Sequence, residues 1–171
     1  MLAPTVRLVK FDEAYIEATY GWVCDPKFRR DFLMRGEPNH ETHQAHFAAV
    51  LADKTQRVFA VVTDGAHVGN AGLKHVDMQC VQAELWVYIG EPSARGKGLG
   101  SAATAALLDV AFREIGLARI YLHVAEFNMP ARRMYERLGF IYEPMDSDDQ
   151  PVWAERDFEV LCMGMRRDQW T

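Results

Sequence analysis

Cysteine is scarce in this chain of 171 residues: Cys24, Cys80 and Cys162 are the only three, and no two form a C-x-x-C pair. An odd number at wide spacing excludes a disulfide framework and fits a reducing compartment, with each cysteine otherwise a small apolar residue. Long apolar runs are missing too. No stretch could span a bilayer, and the N-terminus shows no basic region, apolar run and small-residue cleavage site, so no membrane association is expected. Positive charge is in short supply: 19 Lys and Arg against 24 Asp and Glu leave a formal net charge of −5. This argues against a general nucleic-acid or anionic-membrane binder, since both need a basic surface. Repeats, low-complexity tracts and linkers are absent as well. What remains is a chain with 49% hydrophobic residues, enough for one sizeable core. The expectation is a single cytoplasmic domain over residues 1–171.

Two familiar phosphate fingerprints are also lacking, G-x-x-x-x-G-K-[ST] and G-x-G-x-x-G. Yet Arg95-Gly96-Lys97-Gly98-Leu99-Gly100 lies between an apolar strand and an apolar-faced helix. Glycines there let the main chain approach an anion and turn N–H groups toward it, and the following helix adds the positive end of its dipole. The pattern that fits is R-x-x-G-x-G/A.

Hydrophobic period supplies the surrounding elements. A strand is expected over Thr5 to Phe11, a helix capped by Asp12 and ended by Pro26, and a second helix over Glu41 to Ala52. Between them, Phe28 to Pro38 reads as irregular or briefly helical. Strands follow over Arg57 to Val62, His67 to Val76 and Val81 to Ile89, with Asp64-Gly65 as a hairpin turn. After the glycine loop come a helix stopped by Gly116, a strand over Arg119 to Val124, a short helix ending at Gly139, and a strand from Phe140. A polar loop over Asp146 to Gln150 leads to a last strand over Phe158 to Met165. The order implies an α/β or α+β fold: one layer of sheet with helices on both faces.

With Glu84 to Ile89 before the glycine loop and Asn128-Met129-Pro130-Ala131-Arg132-Arg133-Met134-Tyr135-Glu136-Arg137-Leu138-Gly139-Phe140 after it, the chain resembles the Gcn5-related N-acetyltransferase (GNAT) superfamily. The second stretch is similar to that family's N-x-x-A-x-x-x-Y-x-x-x-G-F signature. The resemblance covers the C-terminal two-thirds well and the N-terminal third loosely. It implies a mixed, mostly antiparallel sheet, acetyl-CoA as co-substrate, direct transfer to an amine, and no metal. It also implies that the glycine-loop stretch Arg95, Gly96, Lys97, Gly98, Leu99, Gly100 and Ser101 holds the coenzyme diphosphate. The strand Val87, Tyr88 and Ile89 would offer main-chain N–H groups to the acetyl carbonyl, and such donors are worth ~3 kcal/mol each in other acyl transfers. Asn128 would contact the pantetheine arm, and its plainer role is to cap the helix that Pro130 begins. Arg132 and Arg133 join Arg95 and Lys97 as candidates for the phosphates, the alternative being solvated surface.

Transfer to an amine needs a proton acceptor and a stabilised leaving thiolate. Glu84 shares a strand face with Trp86 and Tyr88 and is the candidate base, directly or through water. His123, on the polar-facing side of the neighbouring strand, is its rival. Tyr135 matches the family tyrosine that reaches the coenzyme sulfur, although it also fits the apolar stripe of Ala131, Met134 and Leu138. His40, His43 and His46 recur every three residues, but no further zinc ligand is evident. No Cys-His or Ser-His-Asp arrangement supports an acyl-enzyme.

The N-terminal third and the chain end resemble the branch holding ribosomal-protein N-terminal, spermidine and nucleotide amino-sugar acetyltransferases. Trp22, Phe28, Arg29, Arg30 and Arg35 lean toward a sugar nucleotide or another amine bearing an anionic group. Three functions stay open: a small-molecule amine N-acetyltransferase, a protein N-terminal acetyltransferase, and a non-catalytic acetyl-CoA sensor. Many relatives dimerise, so a homodimer is allowed by analogy.

Overall fold

The structure is a computed structural model and describes residues 5–171. Seven strands, β1 (Arg7–Lys10), β2 (Arg57–Thr63), β3 (Ala66–Asp77), β4 (Gln82–Ile89), β5 (Arg119–Ala125), β6 (Ile141–Glu143) and β7 (Val160–Arg166), make one sheet in the order β1-β2-β3-β4-β5-β7-β6. Every pairing is antiparallel except β4 with β5. That single parallel pair is where the chain must cross over, and the glycine loop with its helix makes the crossing.

Alternation along β4 sorts its side chains between two cores. Leu85, Val87 and Ile89 pack with Leu99, Ala103 and Leu107 of α4 (Leu99–Asp109) and with Tyr135 of α5 (Met129–Leu138). Trp86 and Tyr88 face the other way, against Val23 of α1 (Ile16–Val23) and Phe28 of α2 (Pro26–Asp31). Phe47 and Val50 of α3 (His40–Ala52) cover Val58, Ala60 and Val62 on that same side. Helices therefore lie on both faces, as the sequence order implies.

Local chemistry sets the boundaries. Asp64 and Gly65 both take positive φ, +50° and +79°, the two-residue turn that matches strand twist between β2 and β3. Gly116 and Gly139 stop their helices in the left-handed conformation at φ +83° and +102°. Before Gly116, α4 runs on as a wider-wound segment, Val110–Ile115.

Three expectations need correcting. Asp12 caps only a single turn, Glu13–Tyr15, ahead of α1. Pro26 opens a helix as well as ending one, because Asp25 accepts a hydrogen bond from the Lys27 N–H and proline suits the first helical position. The polar loop at 146–150 runs into a short helix, α6 (Gln150–Trp153), which period analysis cannot find in four residues.

Candidate active site

The two sides of β4 are treated unequally. Against β3 its pairing runs to Gly69 opposite Ile89, whereas against β5 it stops after Gln82, Ala83 and Glu84. Beyond Glu84 the two parallel strands part, leaving the β5-facing edge of Leu85 to Ile89 without a partner strand. Unpaired strand edges present N–H and C=O groups to whatever enters. A cavity of about 640 Å³ opens here, lined among others by Glu84, Trp86, Val87, Tyr88, His123, Asn128 and Tyr135. Val87, Tyr88 and Ile89 are largely buried in the two cores, so what they offer the open edge is chiefly main chain. The Tyr88 hydroxyl accepts from Asn70 Nδ2 at 2.7 Å, and burial holds its pKa above the ordinary phenol range.

Just past the end of β4, and not among the residues lining that cavity, Gly96 and Gly98 take φ +73° and +78°. Gly98 immediately precedes α4, and no side chain caps that helix. The Ala102 N–H bonds to the Gly98 carbonyl at 3.0 Å. The amides of Leu99, Gly100 and Ser101 therefore lack intrahelical acceptors, and they concentrate the positive end of the helix dipole. By contrast Asp25, Asn39 and Asn128 each cap a helix with their side chains. The loop thus suits an anion through its backbone. The Arg95 side chain also reaches back: its Nε donates to the Ile89 carbonyl at 3.0 Å and its Nη2 to the Gly90 carbonyl at 2.8 Å. These bonds brace the loop on the end of β4, and the residue stays exposed. Lys97 and Arg133 are exposed, and Arg132 donates to the Tyr142 hydroxyl and the Glu126 carbonyl.

Deeper in, Glu84 is 5% exposed. Its Oε1 receives His123 Nδ1 at 3.0 Å and Lys74 Nζ at 3.0 Å, while Oε2 faces His75 Nδ1 at 3.4 Å. Burial alone would raise the carboxyl pKa, but the hydrogen bonds from His123 and His75 and the charge of Lys74 outweigh it and hold the group ionised. The two residues that sequence sets up as rivals are bonded to each other. Lys74 and His75 were not foreseen. Lys74 lies directly opposite Glu84 in the β3–β4 register, and pairing slips between Lys74 and Asp77. There His75 takes φ +53°, and this bulge turns two successive side chains toward one carboxylate, which a regular strand would not do.

His123 is itself buried, and its Nε2 has no hydrogen-bond partner among the described residues. Asp149, on the turn before α6, brings Oδ2 to 3.5 Å from that atom, and Trp153 lies over the imidazole at 5.3 Å between ring centroids. Tyr135 is 6% exposed and its hydroxyl makes no hydrogen bond among the described residues; burial raises its phenol pKa. Asn128 is committed twice, its Oδ1 accepting the Ala131 N–H at 3.3 Å and its Nδ2 donating to the Asp31 carbonyl at 3.2 Å.

The far wall comes from α1–α3, from residues 31–38 and from Trp153. Arg35 donates to the Val152 carbonyl, and Arg156 Nη2 donates to the Leu33 carbonyl at 2.6 Å. These two bonds strap the 33–35 loop to α6 and to the turn that follows it. Arg29 is buried against the Val23 carbonyl and both Glu37 oxygens, and Arg30 lies over the rings of Phe127 and Phe158. Of the three arginines read as anion contacts, Arg29 is thus tied up within the protein, while Arg30 and Arg35 remain exposed. The α3 histidines go separate ways: His40 to Glu17 and Tyr20, His43 to the Ile16 carbonyl, His46 to the Phe47 ring.

Comparison with known proteins matches this architecture. Residues 5–141 fit the acetyltransferase (GNAT) domain model. The human alpha/beta-tubulin-N-acetyltransferase 9 is 26% identical over 153 residues, covering 82% of this chain and 74% of that protein. Spermidine N(1)-acetyltransferase of Escherichia coli K12 is 33% identical over 93 residues, 54% of this chain and 50% of the relative. The crystal structure of spermidine N-acetyltransferase from Vibrio cholerae, in complex with CoA and spermine, superimposes with a TM-score of 0.85 at 20% identity, covering 96% of this chain and 97% of that one. With the family model spanning most of the chain and the sheet parting at β4 and β5 beside an uncapped, glycine-led helix, this protein belongs to the GNAT family of N-acetyltransferases.

Proposed function

We propose that the chain transfers an acetyl group from acetyl-CoA directly to a primary amine of a small molecule. The open edge of β4 carries this reading. A thioester arm entering as an extra strand would find unpaired main-chain groups along Leu85 to Ile89, with the free amides of Leu99, Gly100 and Ser101 past the end of β4 for the diphosphate. Donors fixed beside the thioester carbonyl favour the charge that develops on its oxygen during attack. The buried Tyr135 phenol, kept protonated, can donate a hydrogen bond to the departing sulfur.

Glu84 and His123 divide the proton work. An ionised Glu84 can only accept, so His123 Nδ1 carries the hydrogen they share. In the neutral imidazole this leaves the lone pair on Nε2, the atom without a partner. Nε2 is then the acceptor for a proton from the incoming ammonium, and Glu84 orients the ring, as the carboxylate does in a Ser-His-Asp triad.

The carboxylates along the cavity, Asp31, Glu37 and Glu84, are matched by Arg29, Arg35 and Lys74, so the lining charge does not choose the amine. Spermidine acetyltransferases among the relatives support polyamines as one class. The strap between residues 33–35 and α6 counts against an extended peptide N-terminus, the second reading, which the tubulin acetyltransferase relative keeps open. Thiol release from acetyl-CoA over a panel of polyamines, amino sugars, amino acids and peptides tests this. Turnover with small amines is expected. Turnover restricted to peptides, or coenzyme binding without turnover on any amine, would overturn it.

A further inference from the structure

Acetylation of an ammonium by a thioester forms one N–C bond and breaks one C–S bond, the bonding pair leaving with sulfur. The nitrogen loses two protons. One ends on the thiol, and the other must reach solvent in every cycle. A path through Glu84 to His75, whose side chain is 62% exposed, would require Glu84 itself to take up a proton, which the hydrogen bonds from His123 and His75 and the charge of Lys74 oppose. His123 does not itself meet water, its side chain being 2% exposed.

Asp149 is the next group along. Its side chain is 21% exposed, and its Oδ2 faces the unpartnered Nε2 of His123 at 3.5 Å. That gap is too short for an intervening water and only slightly beyond an ordinary N–H···O bond, and catalytic hydrogen bonds commonly tighten once substrate is bound. Resting on the acetyl-transfer reading above, we propose that Asp149 is the proton outlet of the site, relaying to solvent the proton that His123 Nε2 takes from the acceptor. Nε2 accepts from the ammonium and forms an imidazolium whose Nδ1–H stays on Glu84. The Nε2 proton passes to the Asp149 carboxylate, then to water, and the imidazole returns to its starting form.

Neighbouring groups fit this direction of travel. Lys74 and His75 crowd Glu84 from β3, while Tyr121, beside His123 on β5, has its phenol pKa raised by burial and by the charge of Glu84. No other carboxylate lies within ion-pair distance of Nε2 among the described residues. Asp149 is set in place by a turn whose Asp149 and Gln150 amides bond to the Asp146 carbonyl, and by the strap from Arg35 to α6. Asp149 acts through His123, so it is a positioning and relay residue.

Steady-state kinetics of Asp149→Asn, with imidazole or formate added as a diffusible base, tests the assignment. Expected are a kcat lowered about 10-fold with both KM values nearly unchanged, a larger solvent deuterium effect on kcat, and recovery of rate with added base that wild type does not show. Asp149→Glu, which keeps a carboxylate, should retain most of the rate. A wild-type kcat in Asp149→Asn, or a loss that neither base restores, would overturn the relay while leaving acetyl transfer intact. Absence of turnover in the wild-type protein itself would overturn the acetyl-transfer reading and this one with it.

Discussion

The open edge of β4 with its glycine loop, the coenzyme wall, and the acceptor wall across the cavity are made by different means. On the coenzyme side the work is done by main chain: a strand pair that parts after three residues, two glycines at positive φ, and a helix whose first amides are left uncapped. On the acceptor side it is done by side chains reaching across the sequence, Arg35 to Val152, Arg156 to Leu33 and Asn128 to Asp31. A backbone site binds whatever shares one shape, which on the function proposed above is a diphosphate and an extended arm. A side-chain site can be rewritten by a few substitutions, which suits a fold that keeps its donor and changes its acceptor.

If the coenzyme wall includes the leaving-group donor, the largest effect comes from Tyr135→Phe. Turnover should fall by ~10²-fold or more, with acetyl-CoA affinity nearly unchanged in a direct binding titration. Unchanged turnover would remove Tyr135 from the chemistry and leave it a core residue against Phe140.

Separating the walls takes one substitution in each. A Cβ on Gly96 would meet no atom within 4 Å, so Gly96→Ala acts only through the φ of +73° that it would have to hold. Strain of about 1–2 kcal/mol in the loop should raise the KM for acetyl-CoA ~10-fold and leave the acceptor KM alone. Arg156→Ala should do the reverse, raising the acceptor KM about threefold by releasing the 33–35 loop. Both variants moving both constants would mean that the walls are coupled, and the comparison would fail.

The same division explains what could be read from sequence. The β-strands, the Asp64-Gly65 turn, the glycine loop and the helix stops at Gly116 and Gly139 all rest on local rules, period and positive φ, that one residue and its neighbours reveal. Glu84, His123 and Tyr135 were legible as types on known faces. That Glu84 and His123 touch was not, because it depends on β4 and β5 being neighbours with Glu84 opposite Tyr121. Lys74 and His75 hid behind a bulge, and Asp149 and Trp153 behind a loop without period. For Arg95 the place in the motif was plain, but its bonds to the carbonyls of Ile89 and Gly90 are a tertiary fact.

The smallest expected effect is one of pH, and it should fall on the acceptor wall alone. Burial lowers the pKa of His43 and of His46, against a bond to the Ile16 carbonyl at His43 that favours the charged ring. A folded-state pKa below the unfolded value of ~6.5 gives stability that is present above that value and lost as pH falls through the folded one. His75 has the opposite sign: its hydrogen bond to Glu84 raises its pKa, so its contribution is complete below ~6.5 and fades as pH rises through the folded value. His43 is 8% exposed whereas His75 stands largely in solvent, so the α3 pair should dominate. The Tm of the wild type is therefore expected to drop between neutral pH and mildly acid pH, and the drop should shrink in His43→Gln, which keeps a donor for Ile16 without a titrating ring. Acetyl-CoA binding should not follow, since no histidine lies on the glycine loop or in α4. A Tm that rises on acidification would show His75 in control, and a parallel loss of coenzyme affinity would show the two walls melting as one.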